Sequence, residues 1–184
     1  LFFKDVDAAI ELAKAHDISL VFVVLDYTFA GEANTVNKVQ LGGRAGIVNI
    51  HDGRSSFLYN AFVPLMTRYA GEKTILSWEL ISEPERKTRM PGEAEDPEKV
   101  FTYAETSSFL KEAMDLAQEH ATQPISVGNV SYGWMESWAE LGGDYLQSGS
   151  PILNTLGNIQ SPPSNLPVVV SSIPANDEAV AETM

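Results

Sequence analysis

Residues 74–85 read TILSWELISEPE, a strand pattern closed by a glutamate and a proline. From Ile75 to Ile81 nearly every position is apolar or aromatic, without the strict alternation of a half-exposed strand, which is the pattern of a strand covered on both faces. The run over 74–81 closes on Ser82, Glu83 and Pro84, where proline removes a ladder donor and ends the strand. Strands buried on both sides belong to parallel sheets, whose crossovers are usually helices.

The neighbouring segments supply those partners. Upstream, ISLVFVVLD at 18–26 is a second continuous β-branched and aromatic run. Before it, 5–16 places Val6, Ala9, Ile10 and Ala13 on one helical stripe, with Asp5 and Asp7 in the first turn where the helix dipole favours anions. Between the two strands lie a Gly- and Asn-rich stretch, 27–54, read as a decorated loop, and a helix over 56–70 presenting Phe57, Ala61, Leu65 and Tyr69. Pro64 must kink that helix or mark its start. Downstream, 97–120 predicts a long helix with Phe109, Ala113, Leu116 and Ala117 inward, 124–130 a third strand, and 133–141 a short helix. Residues 148–166 read as loop, 167–173 as a last strand, and 174–184 as a mobile tail. The class is α/β, built from parallel β/α units in a single domain over 1–184.

Composition limits the function. The chain has 184 residues, 12 basic against 25 acidic side chains and a net charge of −13, so a phosphate backbone is repelled and nucleic acid is excluded as a partner. No window reaches the roughly 18 apolar residues of a membrane span, so no membrane role is expected. The absence of cysteine rules out disulfide scaffolds and thiol catalysis. His16 and His120 sit at helix ends without metal-ligand partners, so no metal is expected. Gly42, Gly43 and Gly46 do not follow a strand as a phosphate-binding fingerprint requires, and no cofactor is expected. Leu1 opens directly into a helical pattern without a charged leader, so no signal peptide is read, as in a processed chain or a fragment. The chain is expected to be soluble, with its compartment, including secretion of a longer native form, left open.

Parallel α/β sheets carry their chemistry at the carboxyl ends of strands, which directs attention to residues just after 26, 81, 130 and 173. Glu83 stands out: it closes an apolar strand, Pro84 fixes the backbone behind it, and it faces the sheet rim, a setting suited to a general acid. A salt-bridged loop glutamate is the competing reading. Glu136 and Asp26 are the other rim-accessible acids. Glu79 lies four strand steps, roughly 13 Å, from Glu83 and reads as a buried structural carboxylate with a basic partner. Tyr132, Trp134 and Trp138 follow the third strand, where they could stack on sugar rings or simply pack a short helix. His51 lies in the long loop beside Asp52 and Arg54, where it could touch a substrate or remain solvated.

WELISEPE, residues 78–85, resembles the W-E-x-x-N-E-P-E segment that ends strand four in the cellulase-like glycoside hydrolases of clan A, which are (β/α)8 barrels. Further segments agree in order: DAAIELAKAHDISLVFVVLDY resembles the helix before strand three and the strand itself, FLYNAFVPLMTRYAGEKTILSWE the third helix with Arg68 and Tyr69, LGGDYLQ the approach to strand six, and LPVVVSSIP strand seven. The resemblance implies hydrolysis of a β-linked glucan or mannan with Glu83 as acid/base. It also marks departures. Ser82 replaces the asparagine beside the acid/base, Ser148, Gly149 and Ser150 replace an aromatic and histidine stretch, and Ser172 stands where the nucleophilic glutamate is expected. A complete barrel takes about 250 residues and seldom fewer than about 200, so a partial TIM-type barrel is expected, lacking strands one, two and eight. Its open inner face must be covered by a second copy in a homodimer, by residues 142–166, or by further chain. The alternative to an active hydrolase is a catalytically impaired relative that binds carbohydrate or serves as an oligomeric structural protein.

Overall fold

In the computed structural model the described residues are 2–128, 134–148 and 165–170. The expected tail at 174–184, Tyr132, Ser172 and most of the 148–166 loop lie outside them. Helix α1 (Phe2–Ala15) buries Val6, Ile10 and Ala13 and leads into strand β1 (Leu20–Asp26). A 3-10 turn, Tyr27–Ala30, follows at once. The expected decorated loop is structured: β2 (Asn34–Val36) and β3 (Val39–Leu41) form an antiparallel hairpin. Asn37 and Lys38 at its tip both have positive φ, as a two-residue primed turn requires.

Helix α2 (Gly46–Asn49) is short, and α3 (His51–Phe57) begins five residues earlier than the spacing predicts. Extended Ile50, at φ −116° and ψ 120°, separates the two helices. A π-helical turn over Leu58–Phe62 then precedes α4 (Val63–Tyr69). The Val63 N–H donates to the Leu58 carbonyl, and Pro64 falls in the first turn of α4, directly after the π turn. The wider turn absorbs the missing proline donor. It also shifts the face, burying Leu58 and Phe62 while the predicted inward Ala61 faces solvent.

Strand β4 (Ile75–Ser82) is buried over nearly its whole length. After the 3-10 turn Pro84–Arg86 come the two-residue strands β5 (Thr88–Arg89) and β6 (Phe101–Thr102), which pair in parallel. Helix α5 (Tyr103–His120) starts later than predicted because Thr102 and Glu105 form a reciprocal capping box that satisfies the first-turn donors. The third strand shrinks to β7 (Ile125–Ser126). Pro124 has no N–H to extend the ladder backwards, although its carbonyl accepts from Trp78 N at 2.9 Å. Helix α6 (Met135–Ala139) is shorter than expected. Strand β8 (Leu146–Ser148), which the sequence reading placed in an approach and a loop, pairs in parallel with β9 (Val168–Val170).

The central sheet runs β1-β4-β7, all parallel. Asp144 ties the β8 approach to β7, its N–H donating to the Ile125 carbonyl and its carboxylate accepting from Ile125 N, both at 2.8 Å. The described strands do not close a barrel. One face of β1 and β4 packs against the helices: Phe22 stacks on Trp78 at 5.5 Å, and Trp78 and Leu80 join a core with Phe62, Met66, Phe109 and Leu110. Among the described residues the other face is open. Contrary to the expectation of a doubly covered strand, Val21 and Val23 of β1 are 47% and 45% exposed. They line a groove of about 610 Å³ with Leu76, Glu79, Tyr145 and Val169. Among the described residues no helix is long and apolar enough to cross a membrane.

Candidate active site

The carboxyl ends of β1 and β4 lie side by side, with Asp26 opposite Ser82 in register. The next residue, Glu83, adopts a left-handed backbone at φ 54° and ψ 48°, a conformation that costs a side-chain-bearing residue about 1 kcal/mol or more. Pro84 contributes, because its ring disfavours the right-handed helical region for the residue before it. The strained turn places a carboxylate at the mouth of a parallel sheet, where this architecture binds ligands.

Glu83 is about a quarter exposed and forms an ion pair with Arg86 through Oε2 and Nε. The Arg86 guanidinium lies over the Tyr27 ring at 5.1 Å from its centroid, a cation–π contact that steadies it. Arg86 and Tyr27 are site neighbours the sequence reading missed. Their signals were there, Arg86 three residues after Glu83 and Tyr27 directly after a strand end. Asp26 stands on the same rim, but its Oδ1 accepts from Thr28 N at 3.0 Å and caps the 3-10 turn.

Below the rim lies Glu79, only 2% exposed. Its predicted basic partner is absent among the described residues. Oε2 instead accepts from Gln147 Nε2 at 2.5 Å, and Oε1 makes no hydrogen bond. Burial pushes this carboxyl above the usual glutamate range, Gln147 and Ser82 offset part of that, and the charges of Glu83 and Asp26 push it up further. The close packing explains Gly128: a Cβ there would stand 2.0 Å from Glu79 Oε1.

The remaining candidates sit elsewhere. Trp138 is buried and stacks between Trp134 and Tyr103 at 5.5 and 5.8 Å, which is the core-packing reading. Trp134 is half-buried, with the Lys99 ammonium 5.9 Å from its ring. Glu136 is exposed in the first turn of α6. His51 opens α3, its side chain 90% exposed and 3.2 Å from Asp52, in a separate pocket with Arg54 and Glu112. No described contact joins any of these to Glu83. No group of three or more His, Asp or Glu able to hold a metal occurs among the described residues.

No family model and no curated protein matches the chain. Solved structures do. A β-1,4-mannanase from the common sea hare Aplysia kurodai matches with a TM-score of 0.65 at 13% identity, over 91% of this chain and 57% of that one. A β-mannanase from the blue mussel Mytilus edulis gives 0.62 at 13% identity with the same coverages. An endo-1,4-β-mannanase from Eisenia fetida gives 0.59 at 12%, over 79% of this chain and 47% of that one. The chain thus spans a little over half the length of the mussel and sea hare structures. At these identities the likeness is one of fold: the described β/α units are arranged as in part of these mannanase structures, in keeping with the expected partial TIM-type barrel.

Proposed function

We propose that the chain is a glycoside hydrolase acting on β-linked mannan or glucan, with Glu83 as general acid/base. The observation that carries the reading is Glu83 itself, held in a strained left-handed turn at the carboxyl end of the central strand. The fold it stands on is shared with three enzymes described as β-mannanases. In a retaining sequence Glu83 gives its proton to the glycosidic oxygen while a second carboxylate attacks the anomeric carbon and the leaving sugar departs. As the base, Glu83 then takes a proton from the water that displaces that carboxylate. Arg86 and Tyr27 fix the carboxyl during that exchange. A retaining enzyme needs a second carboxyl about 5 Å away and an inverting one about 6.5 to 9.5 Å away. Asp26, across the rim in register with Ser82, is the nearest described acid on a neighbouring strand.

The test is release of reducing sugar from soluble β-mannan and β-glucan by the wild type and by Glu83→Gln. Loss of at least about a hundredfold is expected; equal turnover in the variant ends the assignment. A second reading, a relative that binds β-linked oligosaccharide without cleaving it, is favoured by Ser172 at the expected nucleophile position. Oligosaccharide binding without sugar release would select it. The open β1 edge and the groove beside it also fit a homodimer, which light scattering on the purified chain decides.

A further inference from the structure

Glu79 has no part in the reading above, yet it is among the most buried charged side chains described. Its partners join three strands. Gln147 of β8 donates to Glu79 of β4 at 2.5 Å and accepts from Ser126 of β7 at 3.4 Å. Gln147 is itself buried, and Ser126 fully so. Two residues earlier on each side, Ser77 Oγ and Tyr145 OH lie 3.0 Å apart, so the same two segments are linked twice. These side chains matter because the backbone link to β7, between Asp144 and Ile125, holds only the approach to β8 and not the strand itself. β8 has three residues and pairs with three-residue β9 in a sheet separate from β1-β4-β7.

We propose that Glu79 is a positioning residue: acting through Gln147, it docks β8 and β9 against β4 and β7 and so sets the wall of the groove beneath Glu83. The consequence for turnover rests on the hydrolase reading; the docking does not. A neutral carboxylic acid suits the post, because its Oε2 accepts from the amide without burying a charge, and it fits only because Gly128 leaves room. The titratable groups facing it among the described residues are Asp26 from β1, Glu83 from the end of its own strand and Tyr145 from the β8 approach. β7 brings Ser126 and β9 brings Val169. None is a cation, so ionised Glu79 would be an uncompensated buried charge.

The sign follows from linkage. Folded Glu79 holds its proton above its ordinary value of 4.5, so its stabilisation is complete below that pH and is lost as pH rises through the folded value.

The experiment compares the full chain with Glu79→Gln and Gln147→Leu by amide hydrogen exchange over 144–148 and 168–170. A series from about pH 4.5 to about pH 8 is corrected for intrinsic exchange. In the wild type, exchange over these segments is expected to accelerate by at least about tenfold across the series. Glu79→Gln should remain protected and nearly independent of pH, while Gln147→Leu should exchange fast throughout. If Gln147→Leu does not fold, Gln147→Asn is read in its place. A wild-type pH response retained in Glu79→Gln, or full protection of β8 in the Gln147 variant, overturns the proposal. Sugar release is followed in parallel. Both chains share the pH dependence of Glu83, so the readout is the ratio of wild-type to Glu79→Gln kcat, expected to fall by at least about threefold from the acid to the alkaline end. If even the wild type releases no sugar, the hydrolase reading fails and the exchange data still decide the docking.

Discussion

On one face of the β1–β4 pair, Phe22 stacks on Trp78 and both lie under α4 and α5. On the other, Val21 and Val23 stand half-exposed beside Ser77 and Glu79. The same strands, alternating residue by residue, thus build a core on one side and an open groove on the other. Among the described residues, the helix-covered face carries the apolar packing and the opposite face carries the polar network of Glu79, Gln147 and Ser126. Stability and chemistry are divided between the two faces.

Three substitutions press on that division, beginning with the strongest. Trp78→Ala removes the largest fully buried side chain and its hydrogen bond to Gln123. It should cost about 3–5 kcal/mol in urea or thermal unfolding; a loss under about 1 kcal/mol would mean that the packed face is not what holds the sheet together. Gly128→Ala drives a methyl into Glu79 and should cost about 1–3 kcal/mol. Calorimetry checks this, and combining it with Glu79→Ala should restore much of the loss, because the obstruction is then gone. Val23→Thr, on the open face, should change the unfolding free energy by less than about 0.5 kcal/mol. A cost near that of a core valine would show the groove to be filled in solution, and the comparison between faces would collapse.

Much of the fold could be read along the chain. The runs at 18–26 and 74–81 are strands because apolar and β-branched residues dominate them, although Ser77 and Glu79 interrupt the second. Helix α5 was expected from 97, six residues before the Thr102–Glu105 capping box starts it. The misses have specific causes. Ala61 points outward because one π turn, selected around Pro64 by packing, rotates the helix, and no periodicity count includes an extra residue per turn. β8 was overlooked because Leu146, Gln147 and Ser148 lack strand character and owe their conformation to β9, some twenty residues on. At the site, Glu83 was visible from its place before Pro84. The Glu79 partner was not, because Gln147 lies 68 residues away and an expectation of charge pairing favoured a base.

Residue order alone settled the α/β class, the acidic surface and the carboxylate at the end of strand four. These depend on local apolar runs, net charge and a proline, all of which act over a few neighbouring residues. Tertiary structure alone decided that Tyr27 steadies the Arg86 paired with Glu83, that an amide rather than a cation meets Glu79, and that one face of β1 stays open among the described residues. Each is a contact or a vacancy between segments distant in the chain, set by how strands align and by what remains to cover them.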